Sequence, residues 1–271
     1  MKLVWDFFGR TDSGCVRSNN EDNWGIDAVL GLLIVADGMG GHNSGEVASG
    51  LAVSTILETA RRVFGGEKIF SPEGGVSGLS VGCRRLEYFI KTANAVIYEK
   101  GRAFPRDAGM GTTVVAVLAE ERALSVAHVG DSRLYLFRGG VLSQLTQDHS
   151  LVGDQLRQGL ITLEAAARST LQNILTRAVG AEPVVDVDVM DHPVQPGDVV
   201  LLMTDGLNKM VGDEQLAAVL ARESSSAQVV DTLVDMARRA GGLDNITVIC
   251  GRLNAVPARG FWQQVLRLWE R

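Results

Sequence analysis

The Val, Ile and Leu of this chain come in runs too short for buried helices, and two of the runs end on aspartate. Leu32 to Ala36 delivers Asp37-Gly38, and Val199 to Met203 delivers Thr204-Asp205-Gly206. Short apolar runs bounded by Gly, Asp or Asn have the length of strands, whereas a helix needs about ten residues or more. Such runs lie near 3–8, 32–36, 113–119, 123–129, 133–137, 185–189, 199–203 and 246–252, so strands set the skeleton.

Helical spacing appears in two places in the first half. Val47, Leu51, Val53 and Ile56 recur at helical steps over 44–63, as do Leu86, Phe89, Ile90 and Ala93 over 84–100. Further helices are expected near 150–168, 213–222 and 226–240. Helices that come in pairs, with hairpin-spaced strands between them, predict antiparallel sheets covered by helices and not a regular βαβ alternation. Gly139-Gly140 is a good two-residue hairpin turn within Phe137 to Leu145, and the glycine-rich stretch 65–82 reads as a surface loop.

With 271 residues and 46% hydrophobic content, one well-buried domain is expected. The net charge of -6 argues against nucleic acid as a partner and suits cation binding better. Cys15, Cys83 and Cys250 are odd in number and far apart, which predicts neither a disulfide framework nor a zinc site. The N-terminus has no signal-peptide pattern, and no apolar run approaches the roughly 18 to 20 residues that span a bilayer. A cytoplasmic monomer is the expectation.

Acidic residues gather where strands end: Glu21 and Asp22 in NNEDNWG, Asp37 in VADGMGG, Asp131 in VGDSR, Asp205 in MTDG and Asp244 in GLDNITV. Asp-Gly alone is a common turn former. Several such ends converging on one rim would bring like charges together, and a bound divalent cation removes that repulsion. Carboxylates and a backbone carbonyl are hard ligands that favour magnesium or manganese. Two such ions about 3.5 to 4 Å apart can lower the pKa of a bridging water and fix a phosphoryl group for in-line attack. Hydrolysis of a phosphate ester is the natural chemistry of such a site.

The same residues resemble a known family. In order, GCVRSNNED (14–22), LLIVADGMGGHNSGEVAS (32–49), GMGTTVVAV (109–117), AHVGDSRLYLFRGG (127–140), LTQDHSLV (145–152), NILTRAVG (173–180), GDVVLLMTDGL (197–207) and GGLDNITVI (241–249) are similar to the bacterial metal-dependent Ser/Thr protein phosphatases, the PPM or type 2C family. The likeness spans about residues 5 to 252. It implies an α+β fold, a four-layer α/β/β/α sandwich of two antiparallel sheets flanked by helix pairs, with the metal centre in a cleft at one end.

By position, the resemblance makes Asp37 the carboxylate bridging two Mn2+ or Mg2+ ions. It makes the Gly38 carbonyl a ligand of one ion and Asp205 and Asp244 ligands of the other, with Asp22 and Glu21 nearby. Asp131, together with Asp205, matches the ligands of a weaker third ion. Arg17 matches the arginine that grips the substrate phosphate, a task for a planar fork of donors. His42, at the end of the glycine turn, is the best-placed acid for the leaving alkoxide, given the ordinary histidine pKa of about 6.5.

Thr112 and Thr113 read as strand formers without a catalytic role, His128 as a core residue, and His149 as ordering the loop after Asp148. The implied activity is phosphoserine and phosphothreonine hydrolysis by metal-activated hydroxide without a phosphoenzyme, on phosphorylated proteins and opposing bacterial Ser/Thr kinases. There is no Cys-x5-Arg motif, which excludes tyrosine-phosphatase chemistry.

Residues 147–182 correspond to the family's flap, and Arg168 to Gln172 depart there from the His-Pro and arginine common in bacterial members. The phosphatase domain is expected to end at residue 253. The segment 254–271 then reads as an amphipathic tail whose Phe261, Trp262, Val265, Leu266, Leu268 and Trp269 could pack on the domain, dock a partner or touch a membrane surface.

Overall fold

The computed structural model describes residues 1–41, 44–71 and 78–256. Strands β1 (Lys2–Asp12), β2 (Asp22–Asp27) and β3 (Leu32–Met39) precede helices α1 (Ser44–Phe64) and α2 (Val81–Ala103). Next come β4 (Gly111–Thr112), β5 (Val114–Ala119), β6 (Ala123–Val129), β7 (Arg133–Arg138) and β8 (Val141–Gln144). Helices α3 (Leu151–Arg157) and α4 (Leu163–Ala167) lead to β9 (Asp188–Pro193) and β10 (Val199–Met203). The chain closes with α5 (Asp205–Asn208), α6 (Asp213–Arg222), α7 (Ser226–Arg239) and β11 (Ile246–Val256).

Every strand pairing is antiparallel. One sheet runs β1-β11-β10-β7-β8 and the other β2-β3-β5-β6-β9, with β4 paired to the end of β3. The alternation of side chains along each strand explains the layers. From β3, Leu32, Ile34 and Ala36 pack with Ile56 and Phe89 of the first helix pair. Leu33 and Val35 turn the other way and meet Val200, Leu202 and Ile249 of the second sheet. That sheet's opposite face buries Leu201, Met203 and Val248 against Leu216, Val229 and Leu233 of α6 and α7. Each such side chain contributes roughly 1.5–3 kcal/mol through removal from water. The result is the four-layer α/β/β/α sandwich.

The hairpin at Gly139-Gly140 is present, with φ of 57° and 87°, the left-handed pair a two-residue turn of this type needs. Four expectations about elements require correction. Strand β2 was not foreseen, because as an edge strand it is half polar and shows no apolar run. The helix expected over 150–168 is two short helices, since the chain turns at 158–162 and Thr162 caps the second by accepting from the Ala165 N–H. The strand expected at 185–189 pairs over Asp188–Pro193 instead, because Val185 and Val187 pack against the helix-side core and the polar edge segment carries the ladder. The last strand runs beyond the expected 246–252: Asn254, Ala255 and Val256 continue β11 against Val4, Leu3 and Lys2. The rest of the predicted tail, 257–271, lies outside the described residues. Among the described residues, no helix is long and apolar enough to cross a membrane.

Candidate metal centre

The two sheets bring strand ends from distant parts of the chain to one rim. A cavity of about 240 Å³ there is lined by Arg17, Glu21, Asp37, Gly38, Asp131, Asp205 and Asp244, together with Thr113, Asn173, Lys209 and Asn245. Asp22 is absent from the lining. It is buried behind it, opposite Asp37 in the β2–β3 register, and its Oδ2 accepts hydrogen bonds from the Thr204 and Thr247 hydroxyls, each at 2.7 Å. His42 lies outside the described residues.

Local backbone geometry leaves the carboxylates free. The Asp37 carbonyl accepts from the Thr113 N–H and the Thr112 hydroxyl, both at 2.8 Å, and the Asp37 N–H donates to Thr113 Oγ1 at 3.0 Å. Thr113 in turn bonds Ser132 at 2.7 Å, which ties this strand end to the loop of Asp131. With its backbone satisfied in this way, Asp37 has its side chain available to the cavity.

The next residue must be glycine for a steric reason. A Cβ on Gly38 would lie 2.0 Å from the Gly45 carbonyl oxygen and 2.6 Å from that of Glu21. Asn245 holds the opposite wall: its Oδ1 accepts from the Glu21 N–H, and its Nδ2 donates to the carbonyls of Ser13 and Asn19. The loop bearing Arg17 is thereby fixed beside Asp244.

Burial and mutual repulsion penalise charge on Glu21, Asp22, Asp37, Asp131 and Asp205. Burial, followed by repulsion from Asp22, Asp205, Asp131 and Asp244, pushes Asp37 well above the usual carboxylate range. Burial raises Asp22 to about 7 despite its two threonine donors, and it raises Asp131 to about 7 with help from Asp205 and Asp148. Asp205 is also raised, by burial first, and the nearby Lys209 limits the rise. Glu21 is raised by burial as well.

Two cations of the chain stand on these acids. Arg17 reaches Asp244 through Nε at 2.9 Å and Nη2 at 3.1 Å, and this hydrogen-bonded pairing raises the guanidinium pKa. Lys209 reaches Asp205 at 2.5 Å and Asp244 at 3.6 Å.

The donor set fits hard divalent ions. Asp22 Oδ1 and Asp205 Oδ1 are buried with no hydrogen-bond partner among the described residues, a costly state that a coordinated cation relieves. The donors are oxygens, gathered at a rim where uncompensated charge is unfavourable, as magnesium and manganese prefer. The nitrogen-bearing group His128, His149 and Asp188 lies elsewhere. There the two imidazoles stack at 4.7 Å, and His149 Nδ1 accepts from the Gly130 N–H.

Beside the acidic cavity opens a groove of about 470 Å³ between Asp131, Arg133 and Asp148 on one side and Val152, Leu156, Ala166 and Gln172 on the other. Its second wall belongs to the segment 147–182, which is closed on itself by Ser150 pairing with Leu175 and joined to the core by Thr112 pairing with Val179. Gln172, one of the departing positions, donates to the Ala166 carbonyl at 2.7 Å and so braces α4.

Sequence reasoning missed Thr113, Thr204, Asn245, Thr247 and Lys209. The threonines and Asn245 are buried, which the fold decides and their own neighbourhoods in the sequence do not show.

Comparison with known proteins agrees with this geometry. The serine/threonine phosphatase stp of Listeria monocytogenes is 37% identical over 243 residues, covering 89% of this chain and 92% of its own length. The crystal structure of the Mycobacterium tuberculosis serine/threonine phosphatase PstP/Ppp superposes with a TM-score of 0.81 at 33% identity, over 93% of this chain and all of that one. The catalytic domain of PstP in complex with two manganese ions gives a TM-score of 0.80 at 33% identity, over 94% of this chain and all of that one. The family model described as protein phosphatase 2C matches residues 16–245, and the chain belongs to that family.

Proposed function

We propose that this chain is a metal-dependent protein phosphatase that removes phosphate from phosphoserine and phosphothreonine. Asp37, Asp131, Asp205 and Asp244 come from four separated stretches to line one cavity with Asp22 buried behind it, and two buried carboxylate oxygens of this group are unpartnered among the described residues; this observation carries the reading. Asp37, the Gly38 carbonyl, Asp205 and Asp244 would hold two ions, Mn2+ or Mg2+, with Asp22 and Glu21 supporting them. Asp131 and Asp205 are the residues that a weaker third ion would use. When bound, such ions supply Lewis acidity and water of lowered pKa at neutral pH.

The remaining chemistry belongs to the chain. Arg17 is half-exposed at the cavity and carries a planar fork, so it can exchange Asp244 for two oxygens of an incoming phosphate. Thr113, Ser132 and Asn245 hold the acidic residues in place before substrate arrives, which avoids reorganisation during reaction. Water oxygen bonds to phosphorus, and the serine or threonine oxygen leaves and takes up a proton. The groove beside Arg133 and Leu156 accommodates the polypeptide that carries the phosphoresidue. Phosphorylated proteins of a Ser/Thr kinase pathway in the cytoplasm are the substrates this reading assigns.

The test is manganese-dependent hydrolysis of p-nitrophenyl phosphate and of a phosphothreonine peptide. Chelator, Asp37→Ala and Asp205→Asn should each abolish it. Full activity in Asp37→Ala would overturn the assignment.

A further inference from the structure

Lys209 is a cation of the acidic rim that the two-ion reading leaves unused. It follows α5 directly, four residues after Asp205, so one helical turn places its side chain over that carboxylate. Its ammonium stands 2.5 Å from Asp205 and 3.6 Å from Asp244. Lys209, Asp205 and Asp131 line both the acidic cavity and the neighbouring groove, so the lysine sits at their junction. Among the described residues, Asp131 has no ion-pair partner of its own, and Lys209 is a cation that lines both spaces with it.

We propose that Lys209 supplies from within the chain the positive charge that a third divalent ion would bring to Asp131 and Asp205, so that the centre takes up two ions and not three. An ammonium fixed beside Asp205 neutralises part of the acid there and repels a further dication from the same oxygens. Because it is tethered, its local concentration is independent of the metal supply. The pair of ions held by Asp37, Asp205 and Asp244 has more carboxylate ligands and outcompetes one lysine, whereas a site resting on Asp131 and Asp205 alone does not. This inference rests on the two-ion reading above.

The experiment counts Mn2+ bound to the folded protein by equilibrium dialysis with electron paramagnetic resonance of the free ion. Wild type should bind two ions. Lys209→Gln, which keeps a hydrogen-bonding side chain without the charge, should bind a third and weaker one, and Lys209→Met should do the same. Adding Asp131→Asn to Lys209→Gln should return the count to two. Three ions on wild type, or two on both lysine variants, would overturn the role of Lys209 and leave the phosphatase reading intact. Fewer than two ions on wild type would instead overturn the two-ion centre on which the inference stands. Thermal unfolding of each variant in chelator identifies any that has lost its fold, and the other lysine variant then decides.

Discussion

Asp22 stands directly opposite Asp37 across the antiparallel β2–β3 pair. Like charges in cross-strand register destabilise a sheet, and here Asp22 is buried and Asp37 half-buried, so the fold by itself gains nothing from the arrangement. Asp22 is held there by two threonine hydroxyls from the other sheet, which fix its Oδ2 and leave Oδ1 unpartnered. A cation resolves the conflict, and the predictions below start from that relationship.

Asp22→Asn removes one of the opposed charges while keeping an oxygen for Thr204 and Thr247. In chelator at mildly alkaline pH the variant should melt at a higher temperature than wild type. Its stabilisation by added Mn2+ should be smaller. Differential scanning fluorimetry with and without metal checks both, and a lower melting temperature in chelator would contradict the repulsion argument.

The metal-free protein should lose stability as pH rises. Burial keeps Asp22 and Asp131 protonated to about 7 in the fold. The unfolded chain gives up those protons near pH ~3.9. The folded state therefore binds more protons between these values, and the stability these groups contribute is complete below pH ~4 and is lost through pH ~7. Melting temperatures in chelator should fall from about pH 5 to about pH 8. Saturating Mn2+ should flatten or reverse the slope, because metal binding requires the ionised carboxylates.

Arg17→Ala should raise KM for a phosphopeptide by about tenfold to a hundredfold, the usual worth of hydrogen bonds to a charged group. Arg17→Lys should recover only part of this, since an ammonium lacks the two-pronged geometry. Steady-state kinetics at saturating metal measure it, and an unchanged KM would remove Arg17 from the phosphate site.

Gly38→Ala should cost about 3 kcal/mol or more, because the new methyl group would meet two backbone carbonyls that have no rotamer to move. Chemical denaturation in chelator reads the loss without involving catalysis. A variant as stable as wild type would show that the approach of Gly45 to Gly38 is looser than 2.0 Å implies.

Much of this protein was legible before any coordinates. The two-residue alternation and the glycine pair at 139–140 gave strands and a hairpin, and helical spacing gave α1, α2, α6 and α7. These signals are local, since they depend on neighbours within one or two turns. The acidic strand ends were equally plain, because an aspartate after an apolar run is visible wherever it falls. Asp37 and Asp205 end such runs, and both line the cavity.

Only the tertiary structure decided which of these residues meet and what holds them. Thr204 and Thr247 reach Asp22 from 182 and 225 positions away, and Asn245 fastens Glu21 from 224. Nothing in their own neighbourhoods distinguishes them from ordinary strand or turn residues. Lys209 gave no signal either, because a lysine near a turn is usually a solvated surface charge, and its closeness to Asp244 depends on how β10 and β11 pair. The sequence by itself determined the elements and the chemical character of the rim, through short-range periodicity and residue type. The burial that raises the aspartate pKa values, and the pairing of Arg17 and Lys209 with particular acids, exist only once two sheets pack face to face and exclude water from the groups between them.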